Sequence, residues 1–179
     1  IDAANPGDDE ELALGVLTSA QILRDAGRPA DAIRRLKAAE AELPESVEIK
    51  YELAMLYERE NKLAEAEKLL REVIAIDPGH AHSYNALGYA LADRNVRLPE
   101  ALELITRAME IAPEDPFIMD SMGWIKFRMG DLNAAQDFLT RAYRKRPEAD
   151  LAAPLGEVLW MLGQKDEARA IWKEGAARD

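Results

Sequence analysis

The stretch RENKLAEA, residues 59–66, interrupts a run of helix-forming residues with Asn61 and sets Ala66 five positions later. Asparagine tolerates the left-handed backbone that ends a helix, and alanine is both the best helix former and small enough for two helices to approach closely. Similar wording recurs as DAGRPADA (25–32), RMGDLNAA (128–135) and MLGQKDEA (161–168), and as DRNVRLPEA (93–101) with one extra residue. Aligned, Gly27, Asn61, Asn95, Gly130 and Gly163 share one register. Ala32, Ala66, Ala101, Ala135 and Ala168 share another, with steps of 34, 35, 34 and 33 residues.

Two further marks keep this phase. Pro44, Pro78, Pro113 and Pro147 close each period, and Ala20, Ala54, Gly88, Gly123 and Gly156 sit in its first half. Proline is tolerated just past a helix end or in a first turn, and the small residues mark close helix crossings. Each period reads as helix, tight turn, helix, tight turn. Composition agrees: 48% of residues are hydrophobic but only 6% aromatic, which favours helices over strands. The expected class is all-α.

The formal net charge of -11 sets the chain against nucleic-acid phosphates and anionic membrane surfaces. The basic cluster Arg141, Arg144, Lys145 and Arg146 falls near a helix end, where cations complement the helix dipole. Without cysteine there is no disulfide, thiolate nucleophile or cysteine-based metal site, and either a reducing or an oxidising compartment is compatible. No apolar run approaches the roughly 18 residues of a membrane span. The chain starts at Ile1 rather than Met and reads as a fragment of a longer protein, whose length and preceding repeats it does not reveal.

This periodic wording resembles the tetratricopeptide repeats, whose unit carries a small residue in its first helix, Ala in its second and a closing Pro. The resemblance covers residues 13–179 and implies a right-handed superhelical solenoid of about five helix-turn-helix units: 13–46, 47–80, 81–115, 116–148 and 149–179, after a tail at 1–12. The early-helix Trp common in the family is absent, its places being taken by Val16, Lys50, Tyr84, Met119 and Ala152. Lys126 stands where the other units carry Leu23, Tyr57, Leu91 and Leu159, so its stem is expected to snorkel outward.

Helical spacing separates two stripes on the first helices. Leu53 and Tyr57, Leu87 and Leu91, and Leu155 and Leu159 form the core stripe. The neighbouring stripe, which the resemblance places on the concave side, carries Tyr51, Met55, Asn85, Tyr89, Asp120, Trp124, Phe127, Arg128, Glu157, Trp160 and Met161, with His82 and Phe117 one turn earlier. Aromatic and Met anchors interspersed with polar residues suit a peptide or helix of another protein. Some members of the family clamp a partner's terminal carboxylate with Lys and Asn. Here Asn85 has no lysine on its stripe, and Asp93 and Asp120 disfavour an acidic tail.

The i, i+2 spacing of His80 and His82 does not align two imidazoles on a helix, so no metal is expected. Nothing forms a nucleophile, base and orienting group, and there is no phosphate loop; neither catalysis nor a cofactor is expected. Ile171 and Trp172 lie on the apolar side of the last helix and are expected to drive homo-oligomerisation if nothing covers them, a structural alternative to the binding groove. Residues 81–175, through NALGYALADRNVRLPEALELITRAMEIAPEDPFIMDSMGW and LGEVLWMLGQKDEARAIW, also look like the last repeats of Gram-negative outer-membrane lipoproteins. That likeness implies a periplasmic, membrane-tethered adaptor for a carboxyl-terminal processing protease or for envelope assembly, with a cytoplasmic scaffold as the other placement.

Overall fold

The structure is a computed structural model and describes residues 6–178. Among the described residues there are ten helices and no strand: α1 Pro6–Asp25, α2 Pro29–Glu42, α3 Val47–Arg59, α4 Leu63–Ile76, α5 Ala81–Asp93, α6 Leu98–Ile111, α7 Pro116–Arg128, α8 Leu132–Lys145, α9 Ala149–Met161 and α10 Lys165–Ala176. Residues 6–12, expected to be tail, are the first turns of α1; residues 1–5 lie outside the described residues. The chain divides into two compact units, 1–79 and 80–179.

Within the first unit α1 packs on α2, α3 on α4, and α3 also meets α1 and α2. Within the second, the pairs α5–α6, α7–α8 and α9–α10 stack so that α7 meets α5, α6 and α9. The turn register is what the punctuation requires. Gly27, Asn61, Asn95, Gly130 and Gly163 all adopt positive φ and end the first helix of each pair. The extra residue before α6 is absorbed by Arg97, which takes a left-handed conformation at the N-cap, with Pro99 in the first turn. Side chains cap other helices: Ser46 accepts from Ile49 N, Asp115 from Phe117 N and Ile118 N, and Asp131 from Ala134 N. His80 Nδ1 accepts from Ser83 N, so one of the two histidines is a helix cap.

The core stripe is buried: Leu53, Tyr57, Leu87, Leu91, Leu155 and Leu159 are each at most 8% exposed. The small residues mark where paired helices cross. A Cβ on Gly88 would stand 2.6 Å from Ile105 Cγ1, and one on Gly123 would stand 2.5 Å from Leu139 Cγ. In the last pair, the Trp172 indole occupies the space that a Gly156 Cβ would need, and its N–H donates to the Ala153 carbonyl at 3.2 Å. By register Leu36, Leu70, Ile105, Leu139 and Trp172 hold equivalent places, and in the first two repeats Ala20 and Ala54 stand where the others have Gly88, Gly123 and Gly156.

Lys50, at the early-helix position of α3, is buried with its side chain only 6% exposed. Its ammonium donates to Glu40 Oε1 at 2.8 Å and Glu72 Oε2 at 2.6 Å. Desolvation opposes this charge, but the hydrogen bonds and then the attraction of Glu40 and Glu72 outweigh it and raise the pKa above 10.5. The folded state therefore holds this proton more tightly than the unfolded chain. The stabilisation is complete at neutral pH and is lost as pH rises through the folded pKa.

Two outcomes follow for stability. Gly156→Ala should destabilise the chain by about 1–3 kcal/mol through overpacking, and the added Trp172→Leu should restore at least half of that in urea melts by recreating the Ala and Leu pairing of the first two repeats. Lys50→Ala should cost roughly 2–4 kcal/mol at pH 7, since it removes a buried stem and leaves two carboxylates without their cation. The gap between Lys50→Ala and the parent should narrow as urea melts are taken above pH 10.5.

Candidate functional site

In the second unit the first helices α5, α7 and α9 are neighbours in that order. Gly123 seats α7 against Leu139 of α8, and that contact sets which way α7 is rotated. Asp120 and Trp124, at i and i+4, then share the face of α7 that borders a cavity of about 260 Å³. Tyr89 from α5 and Asp150, Ala153, Pro154 and Glu157 from α9 complete its lining.

Acceptors dominate this lining. Asp120, Asp150 and Glu157 bring three carboxyl groups, and Pro154, inside α9, has no N–H to return to the Asp150 carbonyl. Among the described residues, Asp120 Oδ1 and Trp124 Nε1 are buried without a hydrogen-bond partner, an arrangement that costs stability unless something else supplies the bond. Burial, followed by the nearby Asp150 charge, pushes the Asp120 carboxyl up to about 7.

Trp124 has two roles. Part of its ring packs against the buried cluster that includes Leu91, Ala92, Ile105 and Met122, and it also lines the cavity. Phe127 lies 5.1 Å from it, centroid to centroid, and packs against the core of the last two pairs. Arg128, expected on the concave stripe, bonds to the end of a neighbouring helix. It donates to the Ala92 carbonyl at 3.2 Å and the Asp93 carbonyl at 2.7 Å, at the C-terminal end of α5, and its guanidinium sits 5.6 Å from the Trp124 ring. Phe127 and Arg128 thus brace Trp124.

The remaining expected residues are more dispersed than a single apolar face. Asn85, one turn before Tyr89, is half-buried with Oδ1 unpartnered among the described residues. His82 Nε2 lies 3.9 Å from Asp115 Oδ2, and Phe117 is partly exposed beneath the Arg146 guanidinium at 4.9 Å. Trp160 is flanked by Lys165 and Arg169 at 5.0 and 5.4 Å and by the Trp172 ring at 5.9 Å, while Met161 is exposed beside it. Tyr51 and Met55 are half-buried on α3, in the first unit. Ile171 packs on the core of the last pair and Trp172 on Gly156, so both residues expected to drive self-association have partners within their own repeat, leaving Trp172 37% exposed.

Asp150 and Pro154 were missed by the sequence reading. Asp150 sits one turn before Ala153, in the register that flags His82 and Phe117 in the earlier pairs, so the same rule applied to α9 finds it. Pro154 carries a weaker signal: a proline inside a helical pattern frees a carbonyl in the preceding turn. Among the described residues, no three His, Asp or Glu side chains are placed to hold a metal ion.

Comparison with known proteins supplies the family. Residues 23–89 and 121–179 each match the tetratricopeptide repeat. TPR repeat-containing protein PA4667 of Pseudomonas aeruginosa is 44% identical over 141 residues, which is 79% of this chain and 24% of that protein. Bacteriophage adsorption protein A of Escherichia coli is 26% identical over 85 residues, 48% of this chain and 8% of that protein. The chain thus spans less than a quarter of the length of either relative. Among solved structures, a thermophilic TPR protein of Thermus thermophilus aligns with a TM-score of 0.82 at 22% identity, over 93% of this chain and 91% of that one. The structure reported for pilF of Pseudomonas aeruginosa aligns at 0.79 and 19%, over 96% and 78%. Those identities speak to the fold alone. With two repeat matches that together span most of the chain, and the repeat punctuation realised in its turns, this chain belongs to the tetratricopeptide-repeat family.

Proposed function

We propose that the chain is a scaffold that holds a peptide or helical segment of another protein against α5, α7 and α9, with the cavity beside Trp124 as the anchor. Tetratricopeptide repeats serve in general as protein-interaction scaffolds without catalytic chemistry, and this fold offers such a surface. The observation that carries the finer reading is the pair of buried polar atoms, Asp120 Oδ1 and Trp124 Nε1, left unsatisfied among the described residues on two side chains that, with Tyr89, line one cavity. Interiors rarely leave such atoms unpaired, and a binding site has reason to.

The biological setting we favour is an adaptor in a Gram-negative envelope, tethered to the outer membrane through parts of a longer protein. The support is the wording of residues 81–175 and the 44% identity to a Pseudomonas aeruginosa repeat protein. Holding a processing protease near its substrates, or supporting envelope assembly, is the kind of task such an adaptor performs.

Two measurements test these readings. Affinity capture from envelope extract with the parent, run beside a Tyr89→Ala, Glu157→Ala chain, should yield a protein that the double variant loses. That protein, once purified, should bind the variant at least about tenfold more weakly, about 1.4 kcal/mol. Equal binding by both chains rejects the groove. Fractionation of cells making the full-length gene product should find it with the outer membrane, and recovery in the cytosolic fraction rejects the envelope setting.

A further inference from the structure

We infer that the cavity between α5, α7 and α9 receives the basic side chain, arginine or lysine, of a peptide lying along those helices. The inference rests on the peptide-binding reading and names the chemistry of its anchor. Tyr89 and Trp124 supply aromatic walls, and cations are drawn to aromatic rings. The other polar side chains of the lining are the carboxyl groups of Asp120, Asp150 and Glu157, and Pro154 in α9 has no N–H to give the Asp150 carbonyl. Arg128, on the same helix as Asp120, is already bonded to the Ala92 and Asp93 carbonyls.

Asp120 lines the cavity and its carboxyl has an oxygen without a donor among the described residues, and an ammonium or guanidinium would bring that carboxyl a charge-assisted hydrogen bond. Size points the same way. The volume of about 260 Å³ is below the roughly 300–1,000 Å³ of sites for drug-sized molecules and suits a single long side chain. An anionic occupant would meet three carboxyl groups at once, on a chain already carrying a net charge of -11.

The same geometry makes binding sensitive to pH. Sharing the cavity with the Asp120 carboxyl are Asp150 and Glu157 from α9, Tyr89 from α5 and Trp124 on α7, with the Arg128 guanidinium stacked at the Trp124 ring. Burial and then the Asp150 charge hold Asp120 at about 7, so it gains its charge between pH 6 and pH 8 and attracts a cation more strongly at the upper end. A carboxyl whose pKa is higher folded than unfolded weakens the fold as pH rises from its ordinary value of 3.8 through about 7. Asp120→Asn is therefore expected to be at least as stable as the parent at pH 8.

The test uses the uniformly ¹⁵N-labelled chain, titrated with a blocked alanine pentapeptide carrying one central arginine, and with the same peptide carrying citrulline, its uncharged isostere. The Trp124 indole N–H resonance is the reporter, and those of Trp160 and Trp172 are internal references. We expect a saturable shift at Trp124 with the arginine peptide at pH 8. The affinity should be about threefold or more weaker at pH 6, and about tenfold or more weaker with citrulline. Asp120→Asn should weaken it by about fivefold or more, and Glu157→Gln, at the exposed edge, by less in the same direction. Equal shifts from the two peptides overturn the inference while leaving the groove as a peptide site. No shift at Trp124 from either peptide also overturns it, and if the captured partner binds the Tyr89→Ala, Glu157→Ala chain undiminished, the groove reading falls as well.

Discussion

The close crossing of the two helices in each pair is the constraint from which the rest follows. At Gly123 the backbone of α7 lies so near Leu139 that a single added carbon would collide with it, and Gly88 meets Ile105 in the same way. Contact this close fixes rotation as well as distance, because a helix cannot turn about its axis without driving a larger side chain into the seam. Once α7 is locked by Gly123, Asp120 and Trp124 have no freedom to exchange places with Met122 or Lys126. The cavity beside Trp124 is thus a consequence of a glycine on the adjoining face of its helix.

Trp172 shows the same seam working with a different filling. An indole in place of leucine needs more room, and Gly156 supplies it, while the indole N–H finds the Ala153 carbonyl as a partner. A residue that reads as an exposed apolar end is in large part a packing residue. Trp160 and Met161 beside it are exposed, and Trp172 itself is 37% exposed.

Charge placement divides the two units. In the first, buried Lys50 is satisfied by Glu40 and Glu72, and its raised pKa reports a charge that supports the fold. In the second, Asp120 has the opposite character: it is buried beside another carboxylate, and its raised pKa reports a charge that the fold tolerates at a cost. A group that lowers stability, yet lies in a cavity with aromatic neighbours, is easier to understand as part of a binding surface than as part of a core.

Much of the architecture was legible in the sequence because the signals were local and repeated. The left-handed turn positions, the small crossing residues and the core stripe each depend on chemistry within one helix or turn, so Asn61, Gly123 and Leu87 could be assigned before any coordinates. The residues around Trp124 were legible only in part. Angular phase put Asp120, Trp124 and Tyr89 on one face, but phase says nothing of how far a side chain reaches or what already holds it. Only tertiary structure could show that Arg128 is drawn to the end of α5, that Trp172 folds inward onto Gly156, and that Asp150 and Pro154 of α9 close the cavity around Asp120. Those outcomes depend on distances between helices far apart in sequence, which periodicity along one helix does not encode.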